Sequence, residues 1–337
     1  MAVTQLRIDP LSGLKVIVAP GRATRPGAFI SDNAGARQAE NCPFCEGHEQ
    51  QTPPEIWALR PESSPVNEPD WQVRVVPNKY PLLGGSEAAT SELESFADRA
   101  HRGEAELFVS GEIDGAHEVV VHTPKHLLTL GELSPRELRT AVETWCKRLN
   151  AHSDATYVQL IVNEGHRAGA SLEHTHAQLY ALPLVPIEVA RERERFTAYA
   201  DRTQGACVLC DLLQEEMHLR ERVVAVDDGA VLLTPFASRL PYQLQIVPRS
   251  HEGNFATNGG LAVDMLYRAF ALLRKTFGDS PPLNLWVHTA PRDTEHFHWH
   301  IEVVPRLAEL AGLEMSTGLA ANICAPERVA SELGEVN

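Results

Sequence analysis

The stretch Asn163-Glu-Gly-His-Arg-Ala-Gly-Ala-Ser-Leu-Glu-His-Thr-His-Ala-Gln178 carries the pattern around which this chain of 337 residues is organised. Gly165 and Gly169 permit a tight loop whose backbone amides are free to face an anion, and Ser171 adds a hydroxyl donor. A His-x-His pair, His174-Thr-His176, follows directly. The pattern predicts a phosphate cradle followed by histidines.

The His-x-His pair occurs a second time, together with the features that precede it. His298-Trp-His300 matches the first pair, and each pair follows a Pro-x-x-His motif that ends at His126 or at His251. The intervals from these histidines to the pairs are 48 and 47 residues (174 minus 126 and 298 minus 251). Because unrelated segments seldom agree in both order and spacing, the sequence predicts a tandem duplication.

Each half also contains an amphipathic helix that precedes strand-like runs. Ser134-Pro-Arg-Glu137 is a capping box with proline at the first helical position, and apolar residues recur behind it at helical spacing. Strands over 156–162 and 178–182 are matched by strands over 283–287 and 300–304. We expect an α+β fold with antiparallel sheets and crossing helices, the halves being linked by a solvated helix around 191–199.

Four of the six cysteines form two Cys-x-x-Cys pairs, at Cys42 and Cys45 and at Cys207 and Cys210. In a reducing compartment such pairs are metal or redox sites rather than structural disulfides. A redox motif would open a helix after a strand, whereas here each half also supplies well-placed histidines. Metal binding is therefore the favoured interpretation.

Zinc prefers four tetrahedral ligands of the cysteine and histidine type. Each half offers a Cys-x-x-Cys pair, the histidine after Pro-x-x, and the first histidine of His-x-His. The sequence predicts two metal ions per chain, zinc in the first site and zinc or iron in the second, with these ligands: Cys42, Cys45, His126 and His174, and then Cys207, Cys210, His251 and His298. Eight other histidines are interpreted as ordinary core or surface residues: His48, His101, His117, His122, His152, His166, His218 and His296.

Alternation along a strand separates the two histidines of the first pair by function. Side chains two residues apart lie on the same face, about 6 to 7 Å from each other. His174 can therefore hold a metal while His176 faces a substrate.

Charge and hydropathy exclude several classes of function. Lys and Arg number 30 against 45 Asp and Glu, a net charge of −15, so there is no overall positive field to bind nucleic acid or an anionic membrane. An anionic substrate must be held by a local cluster. No apolar run approaches the roughly 18 residues of a membrane span, and the N-terminus lacks the pattern of a secretory signal. We expect a cytoplasmic protein.

Together these motifs resemble the galactose-1-phosphate uridylyltransferase branch of the histidine-triad superfamily, and they are also similar to ADP-glucose phosphorylases. The resemblance rests on Asn-x-Gly-x-x-x-Gly-Ala-Ser followed by His-x-His-x-Gln, in which Gln178 replaces the third histidine of the hydrolytic branch. It extends along nearly the whole chain through these segments: Arg22-Ala-Thr-Arg-Pro26, Cys42-Pro-Phe-Cys45, Val76-Pro-Asn-Lys-Tyr-Pro81, Pro235-Phe-Ala-Ser238 and Gly312-Leu-Glu-Met315.

The resemblance implies two tandem histidine-triad-like half-barrels. Residues 1–190 would form the catalytic half with the first zinc site, and residues 191–337 the second half with a structural zinc site. The second half has Pro291-Arg-Asp-Thr-Glu-His-Phe297 in place of the Gly-Ala-Ser cradle, so we expect no second nucleophile.

The resemblance also implies a double displacement in carbohydrate metabolism, with a nucleotide sugar and a sugar 1-phosphate as substrates. His176 matches the nucleophile that becomes a nucleotidyl-histidine, while Gln178 and Ser171 match positions that contact the transferred phosphate. A homodimer is a further expectation. The matching substrate-binding positions are Arg22, Arg25, Asn78, Lys79, Asn163, Gly169, Ala170 and Glu314.

Two departures from the uridylyltransferase pattern leave the acceptor open. Thr175 stands where that pattern usually has proline, and Ala308 stands at about the place of a lysine that helps hold the incoming hexose phosphate. The leading hypothesis is UDP-glucose:hexose-1-phosphate uridylyltransferase activity. The alternatives are a nucleotide-sugar phosphorylase that uses inorganic phosphate, and a non-enzymatic zinc-stabilised binding protein, for which His176 would not be needed.

Overall fold

A large β-sheet is the centre of the architecture in this computed structural model, which describes residues 4–20, 39–84 and 113–334. The strands are β1 (Gln5–Ile8), β2 (Lys15–Val18), β3 (Trp57–Leu59), β4 (Val73–Pro77), β5 (Ala116–Val121), β6 (Tyr157–Glu164), β7 (His176–Leu182), β8 (Val223–Val226), β9 (Ala230–Leu233), β10 (Leu244–Pro248), β11 (Leu283–His288), β12 (His300–Pro305) and β13 (Ala320–Asn322). The α-helices are α1 (Pro135–Ala151), α2 (Ile187–Thr203), α3 (Val208–Leu219), α4 (Phe255–Asn258), α5 (Val263–Phe277), α6 (Gly312–Thr317) and α7 (Pro326–Leu333).

The duplication is visible in the order of the strands. Among the described residues, ten strands form one sheet in the order β3-β4-β5-β7-β6-β11-β12-β10-β9-β8. Read outward from the centre, the strands of the second half follow the same order as those of the first. The halves join where β6 pairs with β11 in antiparallel register, with Val162 opposite Leu285. A separate three-stranded sheet contains β1, β2 and β13. The predicted α+β class with antiparallel sheets is confirmed, and the division at residue 190 stays a prediction.

Helix α1 forms where the capping box predicts it. The Ser134 hydroxyl accepts a hydrogen bond from the Glu137 amide, the Glu137 carboxylate accepts one from the Ser134 amide, and proline occupies the first turn. Leu138, Val142 and Trp145 are fully buried on one side of the helix. The helix is therefore held by its cap at one end and by apolar burial along one face.

One hydrophobic core serves both halves. Leu160 and Val162 on β6 belong to the same buried cluster as Leu285 and Val287 on β11. Trp299, directly before β12, belongs to this cluster as well. All five side chains are completely buried. The shared core holds the two halves of the large sheet together, so the sheet is a rigid base for the side chains on its outer face.

The linking helix differs from the prediction of a solvated element. Helix α2 buries Val189, Glu192 and Phe196, and the Phe196 ring lies 4.9 Å from that of Phe297. Although arginine and glutamate alternate along part of this helix, one residue in every three or four is buried. These residues form one face, with which the helix packs against the rest of the protein. Among the described helices none is both long and apolar enough to cross a membrane.

Candidate active site and metal centres

The first candidate site lies on one face of the sheet, where β7 and β5 run side by side. Alternation along β7 puts His176, Gln178 and Tyr180 on the same face. A cavity of about 720 Å³ opens there, and we call it the β7 cavity. Five of the residues predicted from the sequence line it: Asn78, Lys79, Ser171, His176 and Gln178.

His176 is held in a single tautomer. Its Nδ1 lies 2.6 Å from the backbone oxygen of His174, and because a carbonyl can only accept, Nδ1 carries the proton. Nε2 therefore has its lone pair free. Burial lowers the pKa of His176 below its usual value, which keeps the ring neutral at pH 7. The edge of the Phe44 ring packs against the imidazole, with centroids 5.1 Å apart.

The glycine loop has the predicted geometry but not the predicted free amides. Gly165 and Gly169 have φ of +82° and +86°, a region that glycine adopts without strain, and a Cβ on Gly165 would lie 2.8 Å from Pro282. However, the amides of Ala168 and Ala170 donate to the carbonyl of Gly165, and that of Gly169 donates to His166. The turn uses these donors itself, so the loop offers the side chain of Ser171 to the cavity.

Four further predicted substrate-binding positions do not line the cavity or fall outside the described residues: Asn163, Glu314, Arg22 and Arg25. The Asn163 amide oxygen accepts from Asn284 Nδ2 at 2.7 Å, which ties β6 to the second half. The Glu314 carboxylate accepts from the amide of Ala311 at the start of α6. Arg22 and Arg25 fall in 21–38, outside the described residues.

The first predicted metal centre is assembled at the N-terminal end of β7. Cys42, Cys45, His126 and His174 present ligand atoms that all lie within 4.8 Å of one another. His174 Nδ1 is 3.4 Å from Cys42 Sγ and 3.7 Å from Cys45 Sγ, while His126 Nδ1 is 3.3 Å from Cys45 Sγ. His174 Nε2 donates to the carbonyl of Thr123, which fixes Nδ1 as the nitrogen that faces the thiols.

The second predicted centre has the same arrangement at the equivalent place in the second half. Cys207, Cys210, His251 and His298 also have their ligand atoms within 4.8 Å. Cys210 Sγ lies 3.6 Å from His251 Nδ1 and 3.4 Å from His298 Nδ1, as Cys45 lies near both histidines of the first centre. The planes of the two imidazoles cross at 77° in both centres.

The donor sets and spacings fit zinc. Zinc bonds of about 2.3 Å to sulfur and about 2.1 Å to nitrogen place sulfur and nitrogen about 3.5 Å apart around a tetrahedral ion. The observed separations run from 3.3 to 3.7 Å in the first centre and from 3.4 to 3.7 Å in the second. Two Cys/His groups that can bind metal are therefore present in this chain.

A third group of ligand-type side chains was not predicted from the sequence. His300, at the place equivalent to His176, stacks on His288 with ring centroids 4.2 Å apart, and Glu192 of α2 lies 2.8 Å from His288 Nδ1. These three face a second cavity of about 300 Å³, in which Glu302 stands where β7 has Gln178. Glu192 lies on the buried side of α2, and only the pairing of β11 with β12 brings His288 and His300 together beside it.

Thr175 has a defined role in the structure that proline would not fill. Its hydroxyl accepts from His122 Nδ1 at 3.0 Å and donates to Glu164 Oε1 at 3.1 Å, and the other nitrogen of His122 accepts from Trp145 Nε1. Its amide donates to the carbonyl of Leu127. Proline would remove both the hydroxyl and the amide hydrogen. Thr175 thus links the segment between His174 and His176 to the buried interior.

Three residues close to His176 and Gln178 were missed or misassigned in the sequence. His117, interpreted there as structural, lies 2.9 Å from Gln178 Oε1 through Nε2. The hydroxyl of Tyr180 lies 2.9 Å from the same oxygen. Alternation along β7 was enough to find Tyr180, and Phe44 stands inside the Cys-x-x-Cys motif. No local signal marks His117, because its contact depends on the pairing of β5 with β7.

A family model described as the N-terminal domain of galactose-1-phosphate uridyl transferase matches residues 1–186. Among curated proteins, ADP-glucose phosphorylase of Arabidopsis thaliana is 32% identical over 352 residues, which cover 99% of this chain and 93% of the relative. Galactose-1-phosphate uridylyltransferase of Thermotoga maritima is 29% identical over 245 residues, covering 68% of this chain and 76% of the relative.

Solved structures give the same picture. The crystal structure of the Arabidopsis thaliana ADP-glucose phosphorylase with bound ADP-glucose superposes with a TM-score of 0.79 at 28% identity, covering 99% of this chain and all of the other. A structure of a uridylyltransferase superposes with a TM-score of 0.70 at 21% identity, covering 98% and 97%, and shows likeness of fold. Both comparisons extend over the two halves of the sheet.

Proposed function

Because this chain belongs to the galactose-1-phosphate uridyl transferase family, we propose that it transfers a nucleoside monophosphate from a nucleotide sugar to a sugar 1-phosphate through a nucleotidyl-His176 intermediate. One observation carries the proposal. His176 has its Nδ1 hydrogen bonded to a carbonyl and its Nε2 lone pair available beside Gln178 and Ser171 in the β7 cavity. That is the state a histidine nucleophile requires at neutral pH.

In the first step the Nε2 lone pair attacks the α-phosphorus of the nucleotide sugar. A nitrogen–phosphorus bond forms, the bond from that phosphorus to the bridging oxygen breaks, and the sugar 1-phosphate leaves with the electron pair. The imidazole becomes positively charged and keeps its proton on Nδ1. The His174 carbonyl, 2.6 Å from Nδ1, stabilises that charge and holds the ring in place.

In the second step an oxygen of the acceptor phosphate attacks the same phosphorus. The nitrogen–phosphorus bond breaks and its electron pair returns to Nε2, which regenerates neutral His176. The side-chain amide of Gln178 and the hydroxyl of Ser171 are the neutral donors that we assign to the phosphoryl oxygens. A neutral amide stabilises added negative charge without supplying the acid that would assist attack by water.

We assign zinc to both Cys/His centres, two ions per chain. Cys42, Cys45, His126 and His174 would hold one ion, and the equivalent four residues of the second half would hold the other. When bound, such an ion with four protein ligands has a structural role. In the first centre it would fix His174, whose carbonyl orients the nucleophile.

A second acceptor, inorganic phosphate, is supported by a specific observation. The relative that covers 99% of this chain is named an ADP-glucose phosphorylase, and Thr175 and Ala308 depart from the uridylyltransferase pattern. With phosphate as the acceptor, His176 would act identically and the products would be a nucleoside diphosphate and a sugar 1-phosphate. The first step is shared by both activities.

Four nucleotide sugars tested against three acceptors separate these activities. UDP-glucose and ADP-glucose are included among the donors, and galactose 1-phosphate, glucose 1-phosphate and inorganic phosphate are the acceptors, with products identified by phosphorus NMR or mass spectrometry. We expect turnover of UDP-glucose with galactose 1-phosphate. Turnover of ADP-glucose with phosphate alone would establish the phosphorylase instead, and no turnover with any pair would contradict both. Cytoplasmic location and a homodimer stay predictions.

A further inference from the structure

We propose that His117 and Tyr180 are positioning residues that fix the direction of the Gln178 amide, so that its NH2 end faces the transferred phosphate. The inference rests on the proposed function for the presence of that phosphate. It does not require either residue to touch substrate. It assigns a role to His117, which is not among the site residues predicted from the sequence.

The pairing of β5 with β7 brings the three side chains together. His117 is directly opposite Tyr180, and Val119 is directly opposite Gln178. The His117 and Tyr180 rings stack at 4.1 Å between centroids with 26° between their planes. His117 is 7% exposed, so neither its ring nor its hydrogen bonds are averaged by solvent. The stack sets the position from which both residues reach Gln178.

The protonation of His117 follows from its neighbours. The backbone amide of Leu82 donates to Nδ1 at 3.2 Å, so Nδ1 bears no proton. A neutral imidazole then carries its proton on Nε2. Nε2 lies 2.9 Å from the Gln178 side chain, and the atom that faces this donor must be the amide oxygen. The backbone amide of Leu82 thus sets the orientation of Gln178 through His117.

Tyr180 adds a second donor to the same oxygen. Its hydroxyl lies 2.9 Å from Gln178 Oε1, which accepts from both His117 and Tyr180. An amide oxygen has two lone pairs, and both are now used. Reversal of the amide would place NH2 against the proton of His117 Nε2. The nitrogen of Gln178 is therefore the end left to face the β7 cavity.

Asn78 stands beside this pair. Its Nδ2 lies 3.0 Å from His117 Nε2, so with Nε2 protonated this is a contact between two donors, and it favours the opposite tautomer. The oxygen of Asn78 accepts from the amide of Tyr80, which fixes the direction of this second amide as well. The tautomer of His117 is therefore set by the Leu82 amide against the Asn78 NH2 group, and it is the quantity that the NMR measurement below determines.

The second half supplies a natural contrast. Glu302 stands in the place of Gln178, and Gln243 Nε2 donates to its carboxylate at 2.9 Å, as His117 does to Gln178. A carboxylate that accepts from this neighbour still presents an acceptor at its other end. A carboxyl group offers no NH2 group to a phosphate. Both halves have a neighbour that donates to this side chain, His117 in the first half and Gln243 in the second. Only the amide of Gln178 has an NH2 group that can in turn donate to a phosphate.

Two substitutions of His117 form a matched pair. Each removes the imidazole ring and retains the hydrogen bond of only one of its two nitrogens. Gln in His117→Gln places an amide nitrogen near the position of Nε2 and can still donate to Gln178. Asn in His117→Asn reaches only the position of Nδ1, accepts from Leu82, and leaves Gln178 with one donor. Tyr180→Phe keeps the ring stack and removes the other donor.

The test measures the rate at which nucleotidyl-His176 forms in a single turnover. The steady-state kcat and KM are measured for the same variants. We expect His117→Gln to retain the rate within about threefold and His117→Asn to lose about tenfold in kcat at unchanged KM, because the amide donor acts in the transition state. His117→Asn combined with Tyr180→Phe should approach the roughly hundredfold loss expected for Gln178→Ala. Melting temperatures of the Asn and Gln variants should agree. Equal rates for those two variants would overturn the proposal.

A measurement without turnover tests the hydrogen bonds alone. Nitrogen-15 NMR of histidine-labelled wild-type protein, with His117→Gln used to assign the signal, should show His117 protonated on Nε2 and bare on Nδ1. The opposite tautomer would overturn the proposal whatever the activity. If the expected tautomer is found but wild-type protein forms no nucleotidyl-His176, the proposed function fails while the orientation of Gln178 stands.

Discussion

At the scale of single residues, the candidate site is defined by which nitrogen or oxygen of each side chain is already occupied. His176 has one nitrogen bound to a carbonyl and the other free. Gln178 has its oxygen bound twice. Each of these groups therefore presents either a donor or an acceptor to a substrate, and no proton has to move before the proposed reaction.

His176→Ala should abolish nucleotidyl transfer while leaving metal content and melting temperature close to wild type. The covalent route is lost altogether, so we expect kcat to fall by several orders of magnitude, measured in single and multiple turnover. His176→Gly should recover part of the rate when imidazole or a nucleotidyl imidazolide is added. Retention of half the rate by His176→Ala would require direct displacement in place of the covalent intermediate.

The carboxyl group of Glu164 should make stability depend on pH. Burial raises its pKa from an ordinary 4.5 to about 8, so the folded chain keeps a proton that the unfolded chain loses. Its stabilising contribution is complete below pH 4.5 and is lost as pH rises toward 8, by at most about 5 kcal/mol. Glu164→Gln resembles the protonated acid and should remove this dependence.

Denaturant unfolding from pH 5 to pH 9 measures that difference. We expect wild type and Glu164→Gln to be similar at pH 5 and the variant to be more stable at pH 9. Glu143→Gln, an exposed change on α1, is the control and should follow wild type throughout. Parallel curves for wild type and Glu164→Gln would show that the carboxyl group is ionised in the folded chain.

At the scale of elements, the first Cys/His centre and the proposed nucleophile meet at the start of β7. His174 gives its side chain to the first Cys/His centre and its carbonyl to His176. In the second half, His298 has the same two contacts, the carbonyl lying 3.2 Å from His300 Nδ1, but β12 continues with Glu302. For this reason we assign the proposed transferase site to the strand that carries Gln178.

His174→Ala and His251→Ala should each remove one of two metal ions but differ in activity. His174→Ala disturbs both the first centre and the support of His176, so we expect loss of folding stability and at least a hundredfold loss of rate. His251→Ala should lower mainly the melting temperature. Elemental analysis, melting curves and turnover are compared, with His218→Ala, an exposed histidine on α3, as control.

Two metal ions per chain in wild type are required by this interpretation. Structural zinc contributes on the order of 10 kcal/mol of apparent binding free energy, so a chelator should unfold the protein rather than only slow it. One ion per wild-type chain, or equal loss of activity in both variants, would contradict the assignment.

At the scale of the whole molecule, the two halves depend on one sheet and one core. The junction of β6 with β11 lies in the middle of the ten strands, and its side chains point into a cluster built from both halves. A duplicated sequence has thus become a fold in which neither copy covers its own apolar surface. The second half contributes to the core that the first half needs, although its own cavity has Glu302 in the place of Gln178.

The chain should unfold in a single cooperative transition, and neither half should fold alone. Division at the predicted boundary gives residues 1–190 and 191–337 and exposes four completely buried side chains at the junction: Leu160, Val162, Leu285 and Val287. Fluorescence and circular dichroism during denaturation of the whole chain should coincide. Two separate transitions, or soluble folded fragments, would show that the halves are independent domains.

The sequence by itself determined the parts of this protein that depend on local period and on residue type. The cap at Ser134 predicted the start of α1, and the repeated register of Cys-x-x-Cys, Pro-x-x-His and His-x-His selected the eight residues that meet in two clusters. Metal ligands are recognisable in this way because few side chains bind zinc and their spacing is constrained.

Tertiary structure alone decided which donors stay free and which neighbours fix them. The amides of the loop at Gly169 bond within the loop, Glu192 of α2 contacts His288, and His117 contacts Gln178 across 61 positions of the chain. Hydrogen bonds are saturable, so the character of a polar group depends on partners that only strand pairing brings near. Residue types could therefore name His176 and Gln178, but the fold determines which atom each turns toward the cavity.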